Sequence, residues 1–149
     1  MEILALKWNN HQTVFSHQIS ELRKKSEYTD ATIACHGKFY QVHRLVLSTC
    51  SEYFSAIFNQ TPCKNPVIVL KDINCRDLEF LLDYMYSGEV NVRQNELSSL
   101  IGAAENLQIK GLAISDEEPT PSEEFKLKST KRSEEFPDRS NKYEASKSQ

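Results

Sequence analysis

"VHRLVLSTC", residues Val42–Cys50, sets a cation inside an apolar helical pattern. Val42, Leu45, Val46, Leu47 and Cys50 recur at the spacing of a buried helical face, and Arg44 stands among them where the helix opens. The placement is unfavourable twice over. A helix N-terminus carries partial positive charge and favours anions, and a guanidinium taken out of water needs a carboxylate close by. The stretch therefore predicts a packed helix with an acidic partner for Arg44.

Working upstream, "DATIAC" (Asp30–Cys35) and "FYQVH" (Phe39–His43) are β-favouring runs on either side of His36, Gly37 and Lys38, a short glycine-bearing turn. They predict a hairpin whose second strand leads straight into the Arg44 helix. Before it, Phe15, Ile19 and Leu22 fall on one stripe of a helix over residues 12–25, which Asn9 or Asn10 can cap and whose C-terminal end suits Lys24 and Lys25. The opening "ILALKW" (Ile3–Trp8) alternates, with Leu4, Leu6 and Trp8 on one side, and predicts a strand that has no hairpin partner nearby.

Working downstream, Ser51 is placed to cap a second short helix, "SEYFSAIFN", with Tyr53, Phe54, Ile57 and Phe58 facing inward. Pro62 and Pro66 mark a loop, and "VIVLK" (Val67–Lys71), apolar almost throughout, reads as a strand covered on both faces rather than an edge. Asn74 caps a strong amphipathic helix in which Leu78, Leu81, Leu82 and Met85 share a face and which Gly88 ends. "EVNV" (Glu89–Val92) predicts a brief strand. Residues 95–107 place Leu97, Leu100, Ile101, Ala104 and Leu107 on one stripe, and "KGLAIS" (Lys110–Ser115) predicts a last short turn of helix.

The composition changes abruptly after Ser115. Nearly half of the remaining residues are charged, and the apolar or aromatic ones are Phe125, Leu127, Phe136, Tyr143 and Ala145. Such a segment buries too little surface to offset its ordering entropy. The expected organisation is one folded domain over residues 1–115 and a disordered charged tail over 116–149. Within that tail Lys126, Lys128, Lys131 and Arg132 read either as a nuclear import cluster or as ordinary solvated charge.

Length and charge bound the function. A chain of 149 residues holds one domain large enough to fold without staples. A net charge of −3 lacks the basic excess that broad binding to nucleic acid or to an anionic membrane requires. No run approaches a membrane span, and "MEILALKW" is too short and lacks the basic start of a signal peptide, so an intracellular protein is expected. Cys35, Cys50, Cys63 and Cys75 form no C-x2-C pair, which argues for reduced thiols over a zinc site even with His36 and His43 near Cys35. Four glycines leave no phosphate-cradling loop, and His11 and His17 have no nucleophile beside them, so neither an enzyme nor a cofactor is expected.

What remains is association. A lone amino-terminal strand is an unpaired edge, a liability in a monomer, which another chain can satisfy. If the first helix turns Phe15 and Ile19 outward beside Leu4, Leu6 and Trp8, these residues form one patch that a two-fold dimer uses twice.

The succession "DATIACHGKFYQVHRLVLSTCSEYFSAIF", "VIVLKDINCRDLEFLLDYMYSGEVNV" and "LIGAAENLQIKGL" resembles the BTB/POZ domain, and the opening "LKWNNH" looks like its arthropod Tramtrack-type subgroup; the match spans roughly residues 6–112. The resemblance implies an α+β fold, a helical cluster capped by a small mixed β-sheet, with the amino-terminal strand used in oligomer pairing. It implies that Asp30 and Arg44 occupy a buried charged pocket at the dimer interface, where removing either partner strands a charge at a cost of about 3–5 kcal/mol. A plainer reading is that the pair anchors hairpin to helix within one subunit. Further implications are homodimers that build hexamer-like multimers, association with related BTB proteins and co-regulators, and a nuclear transcription or chromatin-architecture factor whose DNA-binding region lies further along the chain. No finger spacing or basic recognition helix occurs here, so this domain itself is expected to make no direct contact with nucleic acid, and the chain is expected to be a fragment or a short isoform. The alternative is a substrate adaptor of a cullin ubiquitin ligase, which "SDEEPTPSEEF" after the last helix weakens, because such adaptors continue into further helices.

Overall fold

A computed structural model describes residues 1–112. Its sheet grows from the predicted hairpin. β1 (Ala31–Cys35) pairs antiparallel with β2 (Lys38–Val42), so that Ile33 faces Tyr40 and Cys35 faces Lys38. His36 and Gly37 turn the chain with φ of 47° and 84°, the two left-handed residues that a type I′ hairpin requires. β3 (Val67–Leu70) lies parallel to β1 on its other side, giving a mixed sheet of order β2-β1-β3. Alternation does the rest: Ala31, Ile33, Cys35, Val42, Ile68 and Leu70 point into the core.

Five helices complete the described residues: α1 (His11–Lys24), α2 (Arg44–Cys50), α3 (Glu52–Gln60), α4 (Cys75–Ser87) and α5 (Gln94–Asn106). α4 is central. Asn74 accepts the Asp77 amide at 2.7 Å at its start, and Gly88, at φ 90°, caps its end by donating to the Tyr84 carbonyl at 2.8 Å. Between these caps Leu78, Leu81, Leu82 and Met85 are buried as their spacing predicts, and Tyr86 joins them. Ser51 caps α3 through Phe54 and donates its hydroxyl to the Leu107 carbonyl at 2.6 Å. One side chain thus ties the α2–α3 junction to the end of α5.

Several expectations fail for physical reasons. Ile3–Trp8 forms no strand in the single chain, because no strand lies beside it to complete a ladder. Glu89–Val92 is likewise irregular, with Val92 packed against the core by its side chain alone. β3 is an edge and not a covered strand: Val67 and Val69 are each 61% exposed on the face away from the core. Of the turn of helix expected over residues 110–115, Lys110–Leu112 turns without a helix and 113–115 lie outside the described residues; Ile109 bridges to Ser51, and the Lys110 amide donates to the Cys50 carbonyl at 2.9 Å. In α2, Leu47 is buried while Leu45 is 78% exposed, so the apolar spacing there serves two surfaces.

Candidate interaction surface

Arg44 has its carboxylate. Asp30 ends the approach to β1, held by its amide donating to the Val42 carbonyl at 3.0 Å. Its Oδ2 accepts the Arg44 Nε at 3.0 Å, and its Oδ1 accepts the Arg44 main-chain amide at 2.8 Å. The second bond resolves the helix-end problem, since His43 at the N-cap supplies no side-chain bond and Asp30 answers an orphan amide with negative charge. The side chains of Arg44 and Asp30 remain 35% and 39% exposed in the single chain. The pair thus couples hairpin to helix within one subunit without being buried there.

A neighbouring network fixes where α2 begins. The Tyr86 hydroxyl accepts the His43 amide at 2.9 Å and lies 2.7 Å from His43 Nδ1, while His43 Nε2 sits 2.8 Å from the Glu27 carbonyl. Arg23 of α1 lies over the Tyr86 ring at 4.8 Å and pairs with Asp83. Burial pushes the Tyr86 hydroxyl up to about 12, against the opposing pull of the His43 hydrogen bond and the Arg23 charge. Sequence reasoning missed Tyr86, His43 and Arg23. Only the helical position of Tyr86 beside Met85 signals burial, and nothing local names its partners.

The apolar surface left open is concentrated in the amino-terminal elements. Leu4 and Leu6 are almost fully exposed, and Trp8 and Phe15 are 56% and 54% exposed. His11 lies between the last two, edge-on to Trp8 at 4.7 Å and stacked on Phe15 at 5.4 Å, so that these rings form one series along the start of α1. No residue of α1 is fully buried. Ile19 differs from the expectation: it leans against the core and is half-buried, because α1 packs on α4 through that side. Its hold on α4 is partly polar, with Ser16 Oγ donating to the Tyr86 carbonyl at 3.0 Å.

Beyond the predicted residues, Leu45, Tyr28, Phe39, Val67 and Val69 also expose apolar surface. Phe39 and Val69 flank Ala34 across the outer face of the sheet, as the register of both ladders requires. Hydrophobic periodicity alone could not find them, since it marks a side chain as apolar without saying what covers it. The charged tail expected over residues 116–149, with Lys126, Lys128, Lys131 and Arg132, lies outside the described residues.

Comparison with known proteins agrees with the architecture. A family model described as BTB/POZ domain matches residues 19–122. The Longitudinals lacking protein-like of Drosophila melanogaster is 44% identical over 108 residues, 72% of this chain and 85% of that protein. The Broad-complex core protein isoforms 1/2/3/4/5 of the same species are 43% identical over 118 residues, covering 79% of this chain but 16% of theirs. This chain thus spans a small part of the length of that relative. The BTB domain of zebrafish PATZ1 superposes with a TM-score of 0.67 at 22% identity, over 74% of this chain and 91% of that one, which speaks for the fold. With the helical cluster, its mixed sheet cap and the family match in agreement, the chain belongs to the BTB/POZ domain family of protein–protein interaction modules, alongside its Tramtrack-type insect members.

Proposed function

We propose that this BTB/POZ domain assembles copies of itself, first as a dimer and then as a hexamer-like multimer, within a nuclear transcription regulator or chromatin-architecture factor. The observation that carries the reading is the exposed apolar series Leu4, Leu6, Trp8 and Phe15 along the amino-terminal segment and the start of α1. A second copy would cover it in a two-fold contact, enclosing Asp30 and Arg44 in the same seam. The alternating amino-terminal segment would become a strand once another chain offers a sheet edge, and β3 leaves one free. Assembly of this kind raises the local concentration of partners, so that several weak sites on DNA are engaged together without this domain touching it. Related BTB domains and co-regulators would be its other partners.

Co-expression of two differently tagged copies tests the reading. Capture of one tag is expected to bring the other in comparable amount, and recovery of a single tagged species would overturn it. Stoichiometric retention of purified cullin by the same protein would instead support the adaptor alternative.

A further inference from the structure

A pair of thiols lies outside the surface described above, where the sheet meets α4. Cys35 closes β1 and is buried, and Cys75 opens α4 and is half-buried. Each is tied to main chain at or near the other. Cys35 Sγ donates to the Ile73 carbonyl at 3.1 Å, two residues before Cys75, and Cys75 Sγ donates to the Cys35 carbonyl at 3.1 Å. These reciprocal bonds bring both thiols to the same junction between the end of β1 and the start of α4, and rotation of the two side chains about Cα–Cβ is what a bridge between them would require. Cys50 and Cys63 have no comparable partner among the described residues.

We propose that Cys35 and Cys75 are a disulfide-competent pair that staples the central strand to α4 when the protein meets a disulfide oxidant such as oxidised glutathione. Cys75 is the entry point, because it is the partly exposed member of the pair. Its thiolate attacks one sulfur of glutathione disulfide, forming a mixed disulfide and releasing one glutathione thiolate. The Cys35 thiolate then attacks the Cys75 sulfur, forming the protein disulfide and releasing the second glutathione. Two protein thiols are oxidised, one glutathione disulfide is reduced, and the two protons lost by the cysteines are taken up by the two glutathione thiolates. Burial and the neighbouring Cys75 thiol hold the Cys35 thiol up to about 11, and the Glu79 carboxylate adds to this, so Cys35 is the resolving thiol and not the one that meets the oxidant first.

The full chain, incubated with oxidised glutathione and mapped by mass spectrometry without reduction, tests this. The expected product has lost two hydrogens and yields a peptide pair joining Cys35 to Cys75, which dithiothreitol separates. Its unfolding midpoint should rise by roughly 10 °C over the reduced form, since the bridge closes a long loop. Cys63→Ala should leave the link intact and Cys75→Ala should abolish it. Full alkylation of both thiols after oxidation, persistence of the glutathione adduct on Cys75, or a link from either cysteine to Cys50 or Cys63 would each overturn the proposal, and these readings come from the unsubstituted protein whether or not the variants fold.

Discussion

Arg44 looked misplaced in the sequence because an apolar helix start is a poor site for a cation, and Asp30 answers both halves of that objection by holding the guanidinium and the helix-opening amide at once. With both side chains more than a third exposed, the ion pair alone contributes only about 0–1 kcal/mol to a single chain. Enclosed between two copies, the same pair becomes costly to break, about 3–5 kcal/mol. Asp30→Asn should therefore weaken dimerisation by roughly 100-fold or more, since each 1.4 kcal/mol is about tenfold, while lowering monomer stability only slightly. Sedimentation equilibrium of the variant against the parent measures this, and equal association would reassign the pair to a tether within one subunit. Tyr86 makes a second prediction at this scale. Its folded hydroxyl titrates near 12 against an ordinary value of 10.0, so the folded state keeps a proton that the unfolded state has released. The stability this represents is complete below pH 10 and is lost as pH rises toward 12. Melting curves across that window should fall less steeply for Tyr86→Phe, although that variant starts lower by the lost hydrogen bonds to His43. Asp30 could be named from sequence because family resemblance marked it; Tyr86, His43 and Arg23 could not, because their partners are brought together only by packing α1 and α4 around the start of α2.

At the scale of elements, the helices announced themselves and the strands did so only in part. α3 and α4 carry their own punctuation in Ser51, Asn74 and Gly88, residues whose capping geometry depends on the few positions beside them. Gly88→Ala would meet no neighbouring atom yet would hold an alanine at φ 90°, so a loss of roughly 1–2 kcal/mol in chemical denaturation is expected from backbone conformation alone. A strand depends instead on what lies beside it. The hairpin was legible because its partner follows within a two-residue turn, whereas Ile3–Trp8 and Glu89–Val92 alternate suitably and form nothing in the isolated chain. The apolar run of β3 was legible as a strand, but its exposed Val67 and Val69 could not be foreseen, since an apolar residue gives no sign of whether a neighbour covers it. α1 packs on α4 through Ile19, Ser16 and Arg23, whereas the segment before it makes no ladder and contributes no buried residue. Deleting residues 1–8 should leave the melting transition cooperative and nearly unshifted while reducing the size of the largest assemblies. Unchanged mass by native mass spectrometry would remove the segment from the assembly.

Taken whole, the molecule separates a self-sufficient core from an incomplete surface. Phe54, Ile33, Leu47, Leu78, Leu81 and Leu82 are wholly enclosed by one chain, and Phe54→Ala should cost about 3–5 kcal/mol through the cavity it leaves. By contrast, Leu4, Leu6, Trp8, Phe15 and Leu45 remain open, and Trp8 and Phe15 are joined through His11 into one aromatic series. The sequence pattern exposed the first half of this division, because periodic apolar residues map to a core; the second half emerged only when the fold left some of them uncovered. Two copies meeting on that surface is the central claim, and the molar mass of the full chain by light scattering in dilute micromolar solution tests it most directly. A mass of twice 17.1 kDa or a higher multiple is expected, and a stable species of 17.1 kDa would contradict it.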